Sequence, residues 1–173
     1  MIFFDGRRFT EIAIDNDFHY KSGVFVGWLL SPTTALNLYN FAAFHGVKDI
    51  VHPNEMHATI IFSPNGYHDK FGDTRLKMPI EVSHNNQPST RILGKPGTEG
   101  ALVTTYYSHQ LADRHRYWRD EKGCDTTFPD YLPHVTLSYN AMDQDPTIIK
   151  RLINFPCNIP LTFDRERVSP LKQ

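Results

Sequence analysis

Two copies of a four-residue pattern, His-x-Thr followed by an apolar residue, carry the side chains of this sequence that are best suited to chemistry. They are His57-Ala58-Thr59-Ile60 and His134-Val135-Thr136-Leu137. Each copy opens a run rich in β-branched and aromatic residues, 57–63 and 134–140, which predicts a strand. Because side chains two positions apart point to the same face of a strand, each histidine is expected beside its threonine.

These side chains suit the cleavage of a phosphodiester by a neighbouring ribose 2′-hydroxyl. An imidazole has a pKa of about 6.5, so one histidine can remove the proton from the attacking oxygen while the other protonates the leaving oxygen. The two threonine hydroxyls would hold the non-bridging oxygens of the phosphate. We therefore predict that His57, Thr59, His134 and Thr136 are catalytic and need no metal. The pattern leaves open which histidine is the base and which is the acid.

The spacing of 77 positions between the two histidines recurs at other landmarks. Two serines suited to cap a helix, Ser31 and Ser108, and two glycines suited to end one, Gly46 and Gly123, are separated by the same distance. The chain is therefore predicted to contain two strand–helix–strand units, about residues 23–63 and 101–140, within a single domain of residues 1–173. Further strands are predicted at 78–82, 90–93, 159–163 and 167–168, with short edge strands at 2–4 and 11–14 and a short helix at about 145–153.

Charge and composition limit the classes of function. The 18 Lys and Arg residues against 19 Asp and Glu residues give a formal charge of −1. This balance argues against a protein that coats long nucleic acid, but it allows a small anionic ligand in a locally basic pocket. No window approaches the roughly 20 apolar residues that cross a bilayer, and the N-terminus lacks a secretory signal. Because the spacing of Cys124 and Cys157 matches no zinc pattern and requires no disulfide, we expect a reduced, cytoplasmic protein with neither metal nor other cofactor.

Residues 64–100 are predicted to be irregular, with exposed turns between short strands. Basic residues are mixed with aromatic ones here, which suits a nucleotide-binding lip, although a solvated hairpin fits the same pattern. The residues concerned are Lys70, Arg75, Lys77, Arg91 and Lys95, with Tyr67 and Phe71 among them.

The paired motifs, their spacing and the repeated units resemble the 2H phosphoesterase superfamily, over roughly residues 23–140. Three stretches, Gly23–Leu30, Met56–Ser63 and Leu132–Asn140, look most like the phage anti-CBASS phosphodiesterases. Those enzymes degrade the cyclic di- and trinucleotide signals of bacterial antiviral defence without a metal. The resemblance implies an α+β fold in which two antiparallel-type sheets flank a central cleft, with helices outside.

The resemblance also implies residues that bind the substrate. The phage enzymes stack one base on an aromatic residue and contact one with an acidic residue near the C-terminus. Glu166 is the candidate for the acidic contact, and Phe25 or Tyr20 for the aromatic one. The implied partner is a cyclic oligonucleotide, and the implied location is the host-cell cytoplasm if the chain is phage-encoded.

Three functions remain open on the sequence. The first is cleavage of the 3′–5′ bonds of cyclic oligonucleotides. The second is an RNA-end activity, either on 2′,3′-cyclic phosphates or on 2′–5′ linkages as in an RNA ligase. The third is sequestration of a nucleotide without cleavage. The sequence does not fix the base preference, the ring size of the substrate or the oligomeric state.

Overall fold

The computed structural model of the protein describes residues 23–64, 79–82, 88–94, 99–126 and 130–171. The predicted edge strands at 2–4 and 11–14 lie outside these residues. In chain order the elements are β1 (Val24–Leu30), α1 (Pro32–Phe44), β2 (His57–Ser63), β3 (Ile80–Val82), β4 (Ser89–Leu93), β5 (Ala101–Thr105), α2 (His109–Arg116), β6 (His134–Ser138), α3 (Pro146–Asn154) and β7 (Leu161–Pro170). None of the helices in these ranges is long and apolar enough to cross a membrane.

The strands form one antiparallel sheet of seven strands in the order β3-β7-β1-β2-β6-β5-β4. The α+β class is therefore confirmed, but the expectation of two sheets is corrected. The two halves of the sheet are joined where β2 and β6 pair, through Ala58 and Val135. Both motif strands would otherwise present an unpaired edge of backbone N–H and C=O groups, and pairing removes that edge.

The duplicated strand–helix–strand units are confirmed. Helix α1 shifted by 77 positions covers 109–121, which is the extent of α2 together with the π-helical turn Tyr117–Glu121 that continues it. Each helix begins at the predicted cap, because Ser31 Oγ accepts from the Thr34 N–H and Ser108 Oγ accepts from the Leu111 N–H, both at 3.3 Å. Gly46 and Gly123 follow the helical segments with φ of 82° and 66°, a conformation that favours glycine.

One strand differs from its prediction. The stretches 159–163 and 167–168 were expected as two strands, but Arg165 and Glu166 continue the pairing with β1, so that β7 is a single strand of ten residues. This strand lies along the outer side of β1 and has a register shift opposite Leu29 and Leu30.

The core lies between the helices and one face of the sheet. Buried residues of α1 and α2 belong to the same apolar cluster as the alternating residues of the motif strands, and Trp28 and Trp118 are fully buried in it. The clustered residues of the motif strands are Ala58, Ile60, Val135 and Leu137. Because side chains alternate along a strand, the residues between them point to the opposite face, on which the chemistry depends.

Candidate active site

The two motifs present the same side chains on one face of the sheet. His57 and Thr59 are half-buried and alternate with the fully buried Ala58 and Ile60, and His134 and Thr136 alternate in the same way with Val135 and Leu137. We call this the histidine face. Because β2 and β6 are neighbours in the sheet, the four predicted catalytic residues are brought together there.

Both motif strands contain a β-bulge at the same place. The pairing with β1 passes from Val26–Ile61 to Gly27–Thr59, which leaves Ile60 without a partner. The pairing of β5 with β6 passes from Leu102–Ser138 to Val103–Thr136, which leaves Leu137 without one. The two unpaired residues are separated by the repeat distance of 77 positions. A bulge shifts the alternation by one residue, so the residues five positions after each histidine, Phe62 and Tyr139, return to the histidine face.

The carbonyl groups of the two bulged residues are satisfied differently. Ile60 O accepts a 2.6 Å hydrogen bond from Nδ1 of His115 on α2, whereas Leu137 O accepts a 2.8 Å bond from the Val51 N–H. His115 is buried and stacks on the Tyr131 ring, with ring centroids 4.4 Å apart. Burial lowers the pKa of His115, which keeps the ring in the neutral form that donates to Ile60.

The backbone fixes the tautomer of both motif histidines. Nδ1 of His57 lies 2.7 Å from Glu55 O, and Nδ1 of His134 lies 2.7 Å from Leu132 O. A carbonyl oxygen only accepts, so each Nδ1 carries a hydrogen and each Nε2 is left for proton transfer. The two bonds occupy equivalent positions in the repeat, so they orient both rings in the same way.

The electrostatics show that the two rings share one environment. Burial lowers the pKa of His57 most, the charges of His134 and Arg167 lower it further, and the hydrogen bond to Glu55 opposes them. Burial also lowers the pKa of His134, against the hydrogen bond to Leu132. Two imidazoles within electrostatic reach can hold one proton between them, as one base and one acid require.

Phe25 lies on the histidine face, but its side chain is buried there by its neighbours. Its ring meets the His57 ring edge-on at 5.3 Å between centroids, and the residue is 6% exposed. The expectation that Phe25 stacks a base is therefore corrected to a contact that supports His57. Tyr20, the other aromatic candidate, lies outside the described residues.

Glu166 does not reach the histidine face. It pairs across the sheet with Trp28, and its buried carboxylate accepts from Nε and Nη2 of Arg114 and from Nε1 of Trp118, at 2.9, 3.1 and 2.7 Å. The predicted base contact is thereby corrected, because the strand alternates and Glu166 points towards α2. Its neighbour Arg167 takes the opposite direction, to the histidine face.

Two residues that the motif analysis did not select belong to this face. Arg167 pairs with Gly27 and acts electrostatically on His57. Tyr139 is 48% exposed; burial raises the pKa of its hydroxyl, and the neighbouring side chain of Thr136 lowers it. The signal for Tyr139 was present in the sequence, since Phe62 stands at the equivalent position of the first motif.

The remaining predicted residues lie elsewhere. Arg91 is exposed on β4, and the other six residues of the proposed basic lip lie outside the described residues. Within the described ranges, no group of three or more His, Cys, Asp or Glu side chains is arranged to hold a metal ion. Cys124 and Cys157 are buried free thiols, and burial raises the pKa of each to about 11.

Comparisons with known proteins agree with this fold. The family model described as anti-CBASS protein Acb1 matches residues 22–173. The Acb1 proteins of Salmonella phage S16 and Enterobacteria phage T4 are 29% and 27% identical to the chain over 157 residues, covering 88% of it and 91% of each relative. A crystal structure of a phosphoesterase superposes with a TM-score of 0.50 at 15% identity, covering 88% of this chain and 97% of the other, which shows a shared fold. The sequence resemblance to the anti-CBASS phosphodiesterases is confirmed by the match to the Acb1 family model.

Proposed function

Because the chain belongs to the anti-CBASS protein Acb1 family, we propose that it is a phosphodiesterase that cleaves 3′–5′ bonds of cyclic di- and trinucleotide signals without a metal. The observation that carries the proposal is the matched pair of histidines, each held by Nδ1 on a backbone carbonyl and each leaving Nε2 to the same face. A protein that only sequestered a nucleotide would have no need for two such proton-transfer groups.

The reaction follows from this arrangement. One Nε2 takes the proton from a ribose 2′-hydroxyl, the 2′-oxygen attacks the adjacent phosphorus, and the P–O5′ bond breaks. The other Nε2 gives its proton to the leaving 5′-oxygen. The product is a linear oligonucleotide that ends in a 2′,3′-cyclic phosphate, and the proton balance is restored when the two histidines exchange a proton with water. Thr59 and Thr136 would donate to the non-bridging oxygens, each such bond to a charged group contributing about 1.5–3 kcal/mol.

The test is cleavage of cyclic GMP–AMP in the presence of EDTA. We expect linear product at the same rate with and without the chelator. We expect His57→Ala and His134→Ala each to lose about 10²–10⁴-fold in rate, because each removes one proton transfer. His52→Ala is the matched control, since His52 is an exposed histidine five residues before the first motif, and it should cleave at the wild-type rate.

Other outcomes would redirect the proposal. Cleavage of nucleoside 2′,3′-cyclic phosphates with an intact cyclic dinucleotide would favour the RNA-end activity. Full protection of phage by the double histidine variant would favour sequestration, and either result would refute the reaction proposed above.

A further inference from the structure

A row of three residues crosses the sheet next to the motif pair. Gly27 of β1 pairs on one side with Thr59 of β2 and on the other with Arg167 of β7. Residues directly opposite each other in neighbouring strands project to the same face, so Thr59 and Arg167 both stand on the histidine face with Gly27 between them.

The Phe25 ring covers Gly27 in the middle of this row. A Cβ placed on Gly27 would lie 2.9 Å from the Phe25 ring and 3.3 Å from Cδ2 of His57. Glycine is therefore needed here, because a side chain would displace the Phe25 ring that packs against His57. With neighbouring strands about 4.8 Å apart, the backbones of Thr59 and Arg167 are separated by roughly 10 Å, with the Phe25 ring between them.

The position of Arg167 does not match the scissile phosphate. We place that phosphate between β2 and β6, whose histidines lie on the same face, whereas β7 lies two strands away from β2 on the far side of Thr59. The Arg167 charge nevertheless reaches the site, because it contributes to the lowered pKa of His57, after burial. Arg167 therefore lies near the scissile phosphate but on the far side of Thr59, which would bind that phosphate. A guanidinium group in this position is suited to binding a second anionic group of the same ligand.

We propose that Arg167, on the far side of Gly27 from Thr59, binds the second phosphate of a cyclic oligonucleotide whose first phosphate lies between the histidines. This inference rests on the proposed function and adds a recognition element to it. A cyclic dinucleotide presents two phosphates in one ring, whereas a nucleoside monophosphate presents one. Arg167 thus selects for ligands with two phosphates over ligands with one.

The test compares ligands with two phosphates and one. Binding of cyclic GMP–AMP and of adenosine 3′-monophosphate is measured by calorimetry in the His134→Ala background, in which cleavage of the cyclic ligand is slowed about 10²–10⁴-fold. Arg167→Gln should weaken binding of cyclic GMP–AMP about tenfold or more, as expected for the loss of a charge-assisted hydrogen bond. Binding of adenosine 3′-monophosphate should change by less than about twofold, because one phosphate occupies only the histidine pair.

Arg165 provides the matched control. It lies on the same strand and the same face, paired with Leu29, but it is exposed. Arg165→Gln should leave both affinities within about twofold of the parent. Arg167→Lys keeps the positive charge but lacks the planar guanidinium. It should therefore weaken binding of the cyclic ligand only, by a smaller factor than Arg167→Gln. The lysine variant replaces the glutamine variant in this comparison if the latter does not fold.

The outcomes separate this inference from the reaction. Equal losses for both ligands, or no loss for either, would overturn the second-phosphate site. If the wild type cleaves cyclic GMP–AMP and Arg167→Gln does so with an unchanged KM, the inference fails and the reaction stands. If the wild type leaves the ligand uncut while Arg167→Gln still weakens its binding selectively, the reaction fails and the site stands.

Discussion

Each motif histidine owes its tautomer to the carbonyl group two residues before it. The bonds to Glu55 O and Leu132 O are alike in length and in position within the repeat. The two rings are therefore equivalent in orientation, and they differ in their surroundings, since the Arg167 charge acts on His57. A nearby cation disfavours the protonated form, so His57 is the better candidate for the base and His134 for the acid.

The pH dependence follows at this scale. Burial lowers the pKa of both histidines, so each loses its proton at a lower pH than a free imidazole. Activity needs one neutral and one protonated ring, and we expect a bell-shaped profile of kcat/KM with its maximum on the acid side of about pH 6.5. Removing the Arg167 charge should move the limb due to His57 to higher pH. A flat profile between about pH 5 and 8 would contradict the two-histidine scheme.

Tyr139 gives the second half-site a hydroxyl group that the first lacks. This hydroxyl interacts electrostatically with the Thr136 side chain, whereas the equivalent residue beside Thr59 is Phe62. We predict that the hydroxyl supports Thr136 when the substrate is bound. Tyr139→Phe should lower kcat roughly fivefold, the equivalent of about 1 kcal/mol for one neutral hydrogen bond. In double-mutant cycles of kcat, Tyr139→Phe should be non-additive with Thr136→Ala and additive with Thr59→Ala. Additivity in both cycles would show that Tyr139 does not act through Thr136.

At the scale of elements, β7 carries two different functions on its two faces. Glu166 binds Arg114 and Trp118 of the α2 segment on the core side, and the Arg114 guanidinium also lies over the Tyr117 ring at 4.3 Å. This buried cluster connects the second helix of the repeat to the first half of the sheet. Arg167, one residue later, faces the other way.

The stability of that connection can be measured. Glu166→Gln removes the buried carboxylate charge that Arg114 faces and should lower the free energy of unfolding by about 3–5 kcal/mol. The control is Asp164→Asn, an exposed acid on the same strand, which should change it by less than about 0.5 kcal/mol. Urea titration provides both values. Unchanged stability of Glu166→Gln together with a raised KM would instead restore a role for Glu166 in binding the substrate.

The same strand shows how far sequence alone extends. The motifs, the repeat distance and the helix caps were readable because each depends on residue type and local spacing. Whether Glu166 or Arg167 faces the histidines depends on the register of β7 against β1, and a shift of one residue exchanges the two faces. That register shifts between Leu29 and Leu30, and the shift depends on contacts between strands that are distant in the sequence. The bulges at Ile60 and Leu137 could not be predicted for the same reason, because no residue type marks the extra residue in a strand.

At the scale of the whole molecule, the candidate site consists of two half-sites that meet where β2 pairs with β6. Each unit supplies a strand, a capped helix and a bulged motif strand with its histidine, threonine and aromatic residue. The two half-sites differ in their surroundings, because β7 places Arg167 beside the first and the second has the Tyr139 hydroxyl. A duplicated frame with unequal side chains accommodates a reaction that needs one proton donor and one acceptor.

The seam between the halves has a mechanical meaning. Ala58 and Val135 pair directly between the two motif strands and are completely buried on the core side. A larger side chain at Ala58 would overpack the core at this pair, so we expect it to disturb the pairing of β2 with β6 and thereby the relative position of His57 and His134, although neither histidine is changed.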